Sequence, residues 1–441
     1  MMIRFEVENF RSIDSPAELS MVAIDERIEA REKPGIGVAL LPVAGIFGPN
    51  ASGKTNILMA LVWLRTAIDG SFRLWDDAVP VEPFNFGDAS ARDSSFTLEL
   101  EIDGIRFEYL LDIGKQKVSY EALFHYPQGR RKRIFERDGN VLTLQRGLSA
   151  LAGTRSLLSD RSLALSIMRR FDEPLTSKFT AEALRVTSLG RTLDTSGAAV
   201  ARDMRSTLEL FAAGQDLQGE LFEPESFENS ASEQPAGTLL DWPEDPIGLR
   251  KQALALLKLA DLGVTDVQVE EEALLAEIGG RPVISREKVA RLVHRSRNQH
   301  KPFAYKDESA GTKTWFELIG PILGALQQGR IVLFDELDAS LHPMLSAQLI
   351  KLFASPRSNP KGAQLIFTTH DTSLLNHLNR DEVWLTQKQV NGATHFGALS
   401  EFAGERVRRS INLESSYLSG RFGALPQVDY PAALRELGLI G

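Results

Sequence analysis

A chain of 441 residues, 43% hydrophobic and 25% charged, has a globular composition and enough length for about two or three domains. Its 50 Lys and Arg against 59 Asp and Glu give a net charge of −9, which excludes a general electrostatic pull on nucleic acid and confines any such contact to a local patch. Without a single cysteine, structural disulfides, thiolate metal sites and zinc fingers are closed readings.

The first residues, MMIRFEVENFRSID, carry charges where a signal peptide would need an apolar run, and no later stretch reaches the roughly 18 apolar residues of a spanning helix. The expectation is a soluble, cytoplasmic protein with no membrane partner. Ile3, Phe5 and Val7 alternate with Arg4, Glu6 and Glu8, which predicts a strand with one buried face over Ile3–Asn9. A second apolar run, Leu40–Phe47, leads straight into Gly48-Pro49-Asn50-Ala51-Ser52-Gly53-Lys54-Thr55, followed by a helical pattern over Ile57–Ile68. Strand, glycine loop and helix are the context in which G-x-x-x-x-G-K-[ST] cradles a triphosphate. In that reading backbone N–H groups and the helix N-terminus face the phosphates, Lys54 reaches the β- and γ-phosphates, and Thr55 offers its hydroxyl to Mg²⁺.

From Ser95 to Val141 short alternating runs separated by Asp-Gly and Gly-Lys turns predict an antiparallel β-lobe. Between 146 and 260 that pattern fades and leucine-rich stretches such as Leu254–Leu259 suggest helices, with a loose loop over Gln218–Asp245. Neither repeats nor sustained heptads are present, so a long coiled-coil arm is not expected.

After residue 308 a helix over Thr314–Leu326, a strand over Ile331–Phe334, a helix over Pro343–Phe353 and a strand over Gln364–Thr368 argue for a parallel sheet with crossovers. The nucleotide domain is therefore discontinuous. Asp335 and Glu336 end an apolar strand where open α/β sheets bind ligands, so Asp335 is the candidate for the Mg²⁺ shell and Glu336 for orienting and deprotonating a water. His370 ends the next strand and is placed to sense a γ-phosphate, although a lone histidine is more often structural. Ser309, in Glu308-Ser309-Ala310-Gly311-Thr312, is at the least an N-cap for the helix that follows.

Taken together these motifs resemble ABC-type ATPases of the SMC and RecF kind, with Asp335–His342 similar to a Walker B and D-loop, His370 to a switch histidine, and Glu308–Thr312 to a signature motif. More narrowly, Asn9-Phe10-Arg11-Ser12, Asn412-Leu413-Glu414 and Tyr417–Pro426 resemble the AAA-type ATP-binding proteins of bacterial abortive-infection and anti-phage operons, RloA-like and PARIS-type. The family's Q-loop glutamine has no counterpart in Val81–Phe86, and Ser-Ala-Gly-Thr replaces the transporter signature Leu-Ser-Gly-Gly.

The resemblance implies an α/β fold: an ABC/SMC-type P-loop head with an antiparallel β-lobe and a mainly helical insertion. The expected division is 1–145 and 271–400 for the two parts of the head, 146–270 for the insertion and 401–441 for a tail. It further implies a slow, regulatory ATPase using ATP and Mg²⁺. Asn50, Gly53, Lys54, Thr55 and Asp338 would bind nucleotide, Thr55 and Asp335 the metal, and Glu336 and His370 would serve catalysis. Ser309 and Gly311 would complete the site from a second subunit, making a homodimer at least. Two outputs stand side by side: control of an effector encoded by an adjacent gene in anti-phage defence, or a RecF/SMC-like clamp on DNA. For the latter the basic clusters are Arg130–Arg133, Arg291 to Lys301, and Arg406 to Arg409.

Overall fold

The computed structural model describes residues 1–190, 193, 198–212, 246–260, 263–278, 281–297, 299–399 and 413–421. They belong to two compact units, one made of Met1–Leu193, Gly329–Ala339 and Ser346–Gly441, the other of Asp194–Gln328 and Ser340–Leu345.

The first unit opens with β1 (Met2–Glu8), whose buried and half-buried residues alternate as predicted, then β2 (Ala17–Ser20) and a small ribbon of β3 (Arg31–Lys33) and β4 (Val38–Leu40). The apolar run expected as one strand from Leu40 is split at Pro42, which cannot donate to a ladder. Its second half is β5 (Val43–Phe47), buried at every position, and the helix after it is α1 (Lys54–Leu74). Strands β6 (Ser94–Ile102), β7 (Ile105–Ile113), β8 (Val118–His125), β9 (Lys132–Asp138) and β10 (Val141–Leu144) follow as the hairpins predicted. They join β1 and β2 in a seven-stranded antiparallel sheet of order β10-β9-β8-β7-β6-β1-β2.

Short helices α2 (Thr154–Leu157) and α3 (Ala164–Met168) and the longer α4 (Pro174–Leu184) come next, then β11 (Val186–Leu189). Leu163, Ala164, Leu165, Met168 and Phe179 of this segment join the same core as Ile57, Leu61 and Leu64 of α1. Two fully buried charged residues tie the β-lobe to this segment. Glu121 accepts from Tyr109 Oη at 2.9 Å and from the N–H groups of Ala164 and Leu165 at 2.6 and 2.9 Å. Arg137 donates to the carbonyls of Ser162 and Ser159 at 2.6 and 2.7 Å. Burial pushes the Glu121 carboxyl up, and Arg137 with the two backbone N–H groups opposes the shift. Leu163 N in turn donates to Ser71 Oγ of α1 at 3.1 Å, so α1 is linked to the lobe through this segment by buried polar bonds.

The second unit contains α5 (Ala198–Ala212), α6 (Pro246–Ala260), the long strands β12 (Val264–Ile278) and β13 (Arg281–Ser296), β14 (Gln299–Ala304) and α7 (Ala310–Gln328). Its own core includes Phe211 stacked on Phe316 at 5.5 Å and Trp315, whose indole N–H donates to Leu256 O at 2.7 Å. The last helix before the hairpin ends at Ala260, and antiparallel pairing of β12 with β13 begins at Val264↔His294. The charged residues on both faces of this hairpin hide its period of two. The loop expected over Gln218–Asp245 and most of the tail lie outside the described residues.

The chain then returns to the first unit with β15 (Ile331–Phe334), the short α8 (Leu337–Ser340), α9 (Pro343–Ala354), β16 (Gln364–Thr369), β17 (Val383–Lys388) and β18 (Thr394–Ala398), and α10 (Leu413–Leu418) follows later in the chain. A six-stranded sheet of order β11-β15-β16-β5-β17-β18 results, parallel except for its last pair. Parallel strands covered on both faces read as unbroken apolar runs, which is why β5, β15 and β16 are legible and the four-residue β11 is not. No helix among the described residues is long and apolar enough to cross a membrane.

Candidate functional site

The three central strands β15, β16 and β5 all end at one edge of the parallel sheet, where such sheets bind ligands. After β5 the chain turns through Gly48–Gly53 into the 21-residue helix α1. Gly53 takes φ +101°, and a Cβ there would stand 2.0 Å from Thr394 Oγ1; a Cβ on Gly48 would stand 2.2 Å from Thr386 Oγ1. Both glycines are therefore imposed by the fold as well as by any ligand. The first turn of α1 has no acidic residue and no side-chain cap, so its N–H groups keep their capacity for an anion. Asn50 is exposed at the loop's tip.

The loop is pinned from behind by hydroxyls. Ser52 Oγ lies 2.5 Å from Thr386 Oγ1 of β17, Thr394 Oγ1 donates to Ser52 O at 2.9 Å, and Ser12 Oγ lies 2.7 Å from Thr394 Oγ1. Asn56 Nδ2 of α1 adds a bond to Ser12 Oγ at 2.6 Å. Nothing in the spacing of Ser12, Thr386 and Thr394 along the chain signals this cluster. The Asn9-Phe10-Arg11-Ser12 motif thus has a visible task, and it extends to Val81–Phe86. Asn9 Oδ1 accepts from Phe84 N at 3.1 Å, Asn9 Nδ2 donates to Ala89 O at 2.9 Å, and Arg11 N donates to Glu82 O at 2.7 Å.

Thr55, Asp335, Glu336 and His370 lie together around the Lys54 ammonium. Asp335 is fully buried, and its carboxylate accepts from Thr55 Oγ1 at 3.0 and 3.2 Å. A hydroxyl and a carboxylate so placed suit Mg²⁺, which takes one or two protein oxygens and completes its shell with water and phosphate. Among the described residues no group of three or more His, Asp or Glu side chains forms a self-contained metal cage. Glu336 is exposed and sits at φ +51°, in the left-handed region, which turns the chain sharply at the strand end. Asp338 accepts on Oδ1 from Thr369 Oγ1 at 2.7 Å and His370 N at 3.0 Å. It fixes the end of β16 and so aims His370.

Lys54 is buried, and its ammonium donates to Gly48 O at 2.9 Å and Pro49 O at 3.0 Å, with His370 Nδ1 at 3.2 Å. Burial brings Lys54 down to about 8, against the pull of the Asp338, Asp335 and Glu336 carboxylates. Burial and then the Lys54 charge push His370 down as well, so at neutral pH the imidazole is uncharged and its Nδ1 can accept. A bound polyphosphate favours the ammonium form and raises the Lys54 pKa above its free value. Binding therefore takes up a proton once the free lysine has lost its own. ATP affinity is expected to be level below pH 8 and to fall by up to about tenfold per pH unit above it. Calorimetry at pH 9 in buffers of different ionisation enthalpy checks this; binding without proton uptake would remove Lys54 from the phosphates.

Ser309 and Gly311 belong to the second unit, at the start of α7. Ser309 Oγ accepts from Thr312 N at 3.1 Å, the N-cap bond anticipated from sequence. Among the described residues a Cβ on Gly311 would meet only Ser309 Oγ, at 4.0 Å. Packing among the described residues gives no reason for a glycine there.

The family model described as "AAA domain, putative AbiEii toxin, Type IV TA system" matches residues 43–376, from the strand before the phosphate loop to just beyond His370. Among solved structures, the chain is similar to the SMC head domain from Thermotoga maritima, at 13% identity and a TM-score of 0.40, over 90% of this chain and 98% of that one. It is also similar to the SmcHead bound to the C-winged helix domain of ScpA, at 11% identity and a TM-score of 0.44, over 91% and 99%. A third is the Smc head domain with an extended coiled coil bound to the C-terminal domain of ScpA derived from Pyrococcus furiosus, at 12% identity and a TM-score of 0.40, over 91% and 97%. No curated protein matches the chain.

Proposed function

Because the chain belongs to the AAA-domain family of the putative AbiEii toxin of type IV toxin–antitoxin systems, an ATPase family, we propose that it is a slow, ATP-driven switch that dimerises around nucleotide and controls an effector in anti-phage defence. The observation that carries this reading is the meeting of Thr55, Asp335, Glu336 and His370 at one sheet edge around the Lys54 ammonium. In this proposal Lys54 and the α1 N-terminus hold the triphosphate, Thr55 and Asp335 hold Mg²⁺, and Glu336 takes the proton of an attacking water. His370 reports the γ-phosphate. Ser309 and Gly311 of a second copy close the site, for which the open helix start at Gly311 is the support. ATP is then a ligand shared by two subunits, and its hydrolysis separates them. The effector is a protein encoded beside it, held or released as the dimer forms and opens.

Ser309→Arg tests the shared site. The arginine is expected to spare ATP binding, abolish ATP-dependent dimerisation in analytical ultracentrifugation and lower turnover at least about tenfold. Full dimerisation of that variant on ATP removes Ser309 from the interface.

A clamp on DNA has less in its favour. Arg131 is paired with Glu108 at 2.9 Å, Arg133 with Glu136 at 2.6 Å, and Arg291 with Glu270 at 2.7 Å, so part of the charge in these basic runs is met by neighbouring carboxylates. The cluster at Arg406, Arg408 and Arg409 lies outside the described residues.

A further inference from the structure

The Asp335–Asp338 turn is stapled by two successive threonines of β16. Thr369 holds Asp338, as described above; Thr368 holds both of the acidic residues that precede it. Its Oγ1 donates to Asp335 Oδ1 at 2.6 Å and accepts from Glu336 N at 2.8 Å. Thr368 is itself fully buried. A hydroxyl has one proton to give. Here that proton goes to Asp335, which leaves a lone pair for the Glu336 N–H, and the polarity of the pair is set by the charge on Asp335. The second bond matters because Glu336 is in the left-handed region, at φ +51°, a conformation that costs a β-carbon-bearing residue energy unless neighbours hold it.

We propose that Thr368 is a positioning residue for hydrolysis: it orients the Asp335 carboxylate toward Thr55 and locks the backbone turn that presents the Glu336 side chain. The inference rests on the nucleotide reading above and adds to it a residue that touches neither nucleotide nor water. Without Thr368 Oγ1, Asp335 keeps, among the described residues, only the Thr55 hydroxyl as a side-chain donor, and the Glu336 N–H loses its acceptor. Both acidic groups then become less well placed, and a residue of this kind around a metal site typically governs about 10- to 100-fold in metal affinity or activity.

The test uses the full chain with Thr368→Val, which keeps the shape and removes the hydroxyl, and Thr368→Ser, which keeps the hydroxyl. For Thr368→Val, kcat is expected to fall about 10- to 100-fold, and the gain in ATP affinity on adding Mg²⁺, read by titration of a fluorescent ATP analogue, to shrink by a similar factor. ATP affinity in EDTA stays at the parental value, and Thr368→Ser recovers both turnover and the Mg²⁺ response. If Thr368→Val does not fold, as judged by thermal unfolding, Thr368→Ala is compared with Thr368→Ser by the same two readouts. Parental kcat and parental Mg²⁺ response in the hydroxyl-free variant overturn the proposal, as does a loss in Thr368→Ser equal to that in Thr368→Val. Glu336→Gln run alongside separates the two levels: if it hydrolyses ATP normally, the reading of this turn as the hydrolytic site fails, with Glu336 as its base. If it is inactive while Thr368→Val is unimpaired, only the role of Thr368 falls.

Discussion

Glu336→Gln is expected to reduce ATP turnover by about 10²- to 10⁴-fold, the range spanned by general-base catalysis, and to trap the chain as an ATP-bound dimer. Glu336 is exposed, and among the described residues no hydrogen bond or ion pair engages its carboxylate. Its backbone is held by Thr368 and its side chain is left for something outside the protein. Glutamine preserves size and the left-handed turn but cannot accept a proton, so binding persists and cleavage stops. Single-turnover hydrolysis gives the rate, and size-exclusion chromatography with ATP gives the trapped dimer. Turnover like that of the parent would falsify the assignment of Glu336 as the base.

Lys54→Ala is expected to weaken ATP binding about 10- to 100-fold, the equivalent of one charge-assisted bond of ~1.5–3 kcal/mol. An ammonium has three protons to donate. Here they are directed at the carbonyls of Gly48 and Pro49 and at His370 Nδ1. The lysine lies within its own loop and must exchange these partners for phosphate oxygens. Alanine removes the charge and also leaves two carbonyls of the loop without their donor. Equilibrium dialysis with labelled ATP measures the loss, and circular dichroism shows whether α1 survives it. Undiminished affinity would move the phosphate site away from this loop.

What could be read from the sequence is what the chain writes locally. Gly48–Thr55 is legible because the loop's conformation, its helix N-terminus and its lysine fall within eight consecutive positions, and Asp335-Glu336 because they end a continuous apolar run. His370 followed from the same logic one strand later. By contrast, the hydroxyl cluster of Ser12, Ser52, Thr386 and Thr394 joins residues as far as 382 apart. No spacing rule connects them. β11 is four residues without alternation, and its place beside β15 is fixed by parallel pairing of Val186 with Ile331. The hairpin of β12 and β13 was hidden by charge on both faces. Asp338 was assigned to nucleotide from its motif position, whereas the partners it has in the structure, Thr369 and His370, are visible only once β15 and β16 lie side by side.

The sheet order β11-β15-β16-β5-β17-β18 also fixes when the phosphate loop can first be held in place. During synthesis the phosphate loop leaves the ribosome early, but both neighbours of its strand arrive late: β16 and β17 begin at Gln364 and Val383. The β-lobe, built from hairpins close in sequence, can fold while the rest is still being translated. The loop meanwhile waits as an unpaired apolar strand followed by glycine. The sheet and the hydroxyls that hold the phosphate loop are therefore complete only once β16, β17 and Thr394 of β18 have been made.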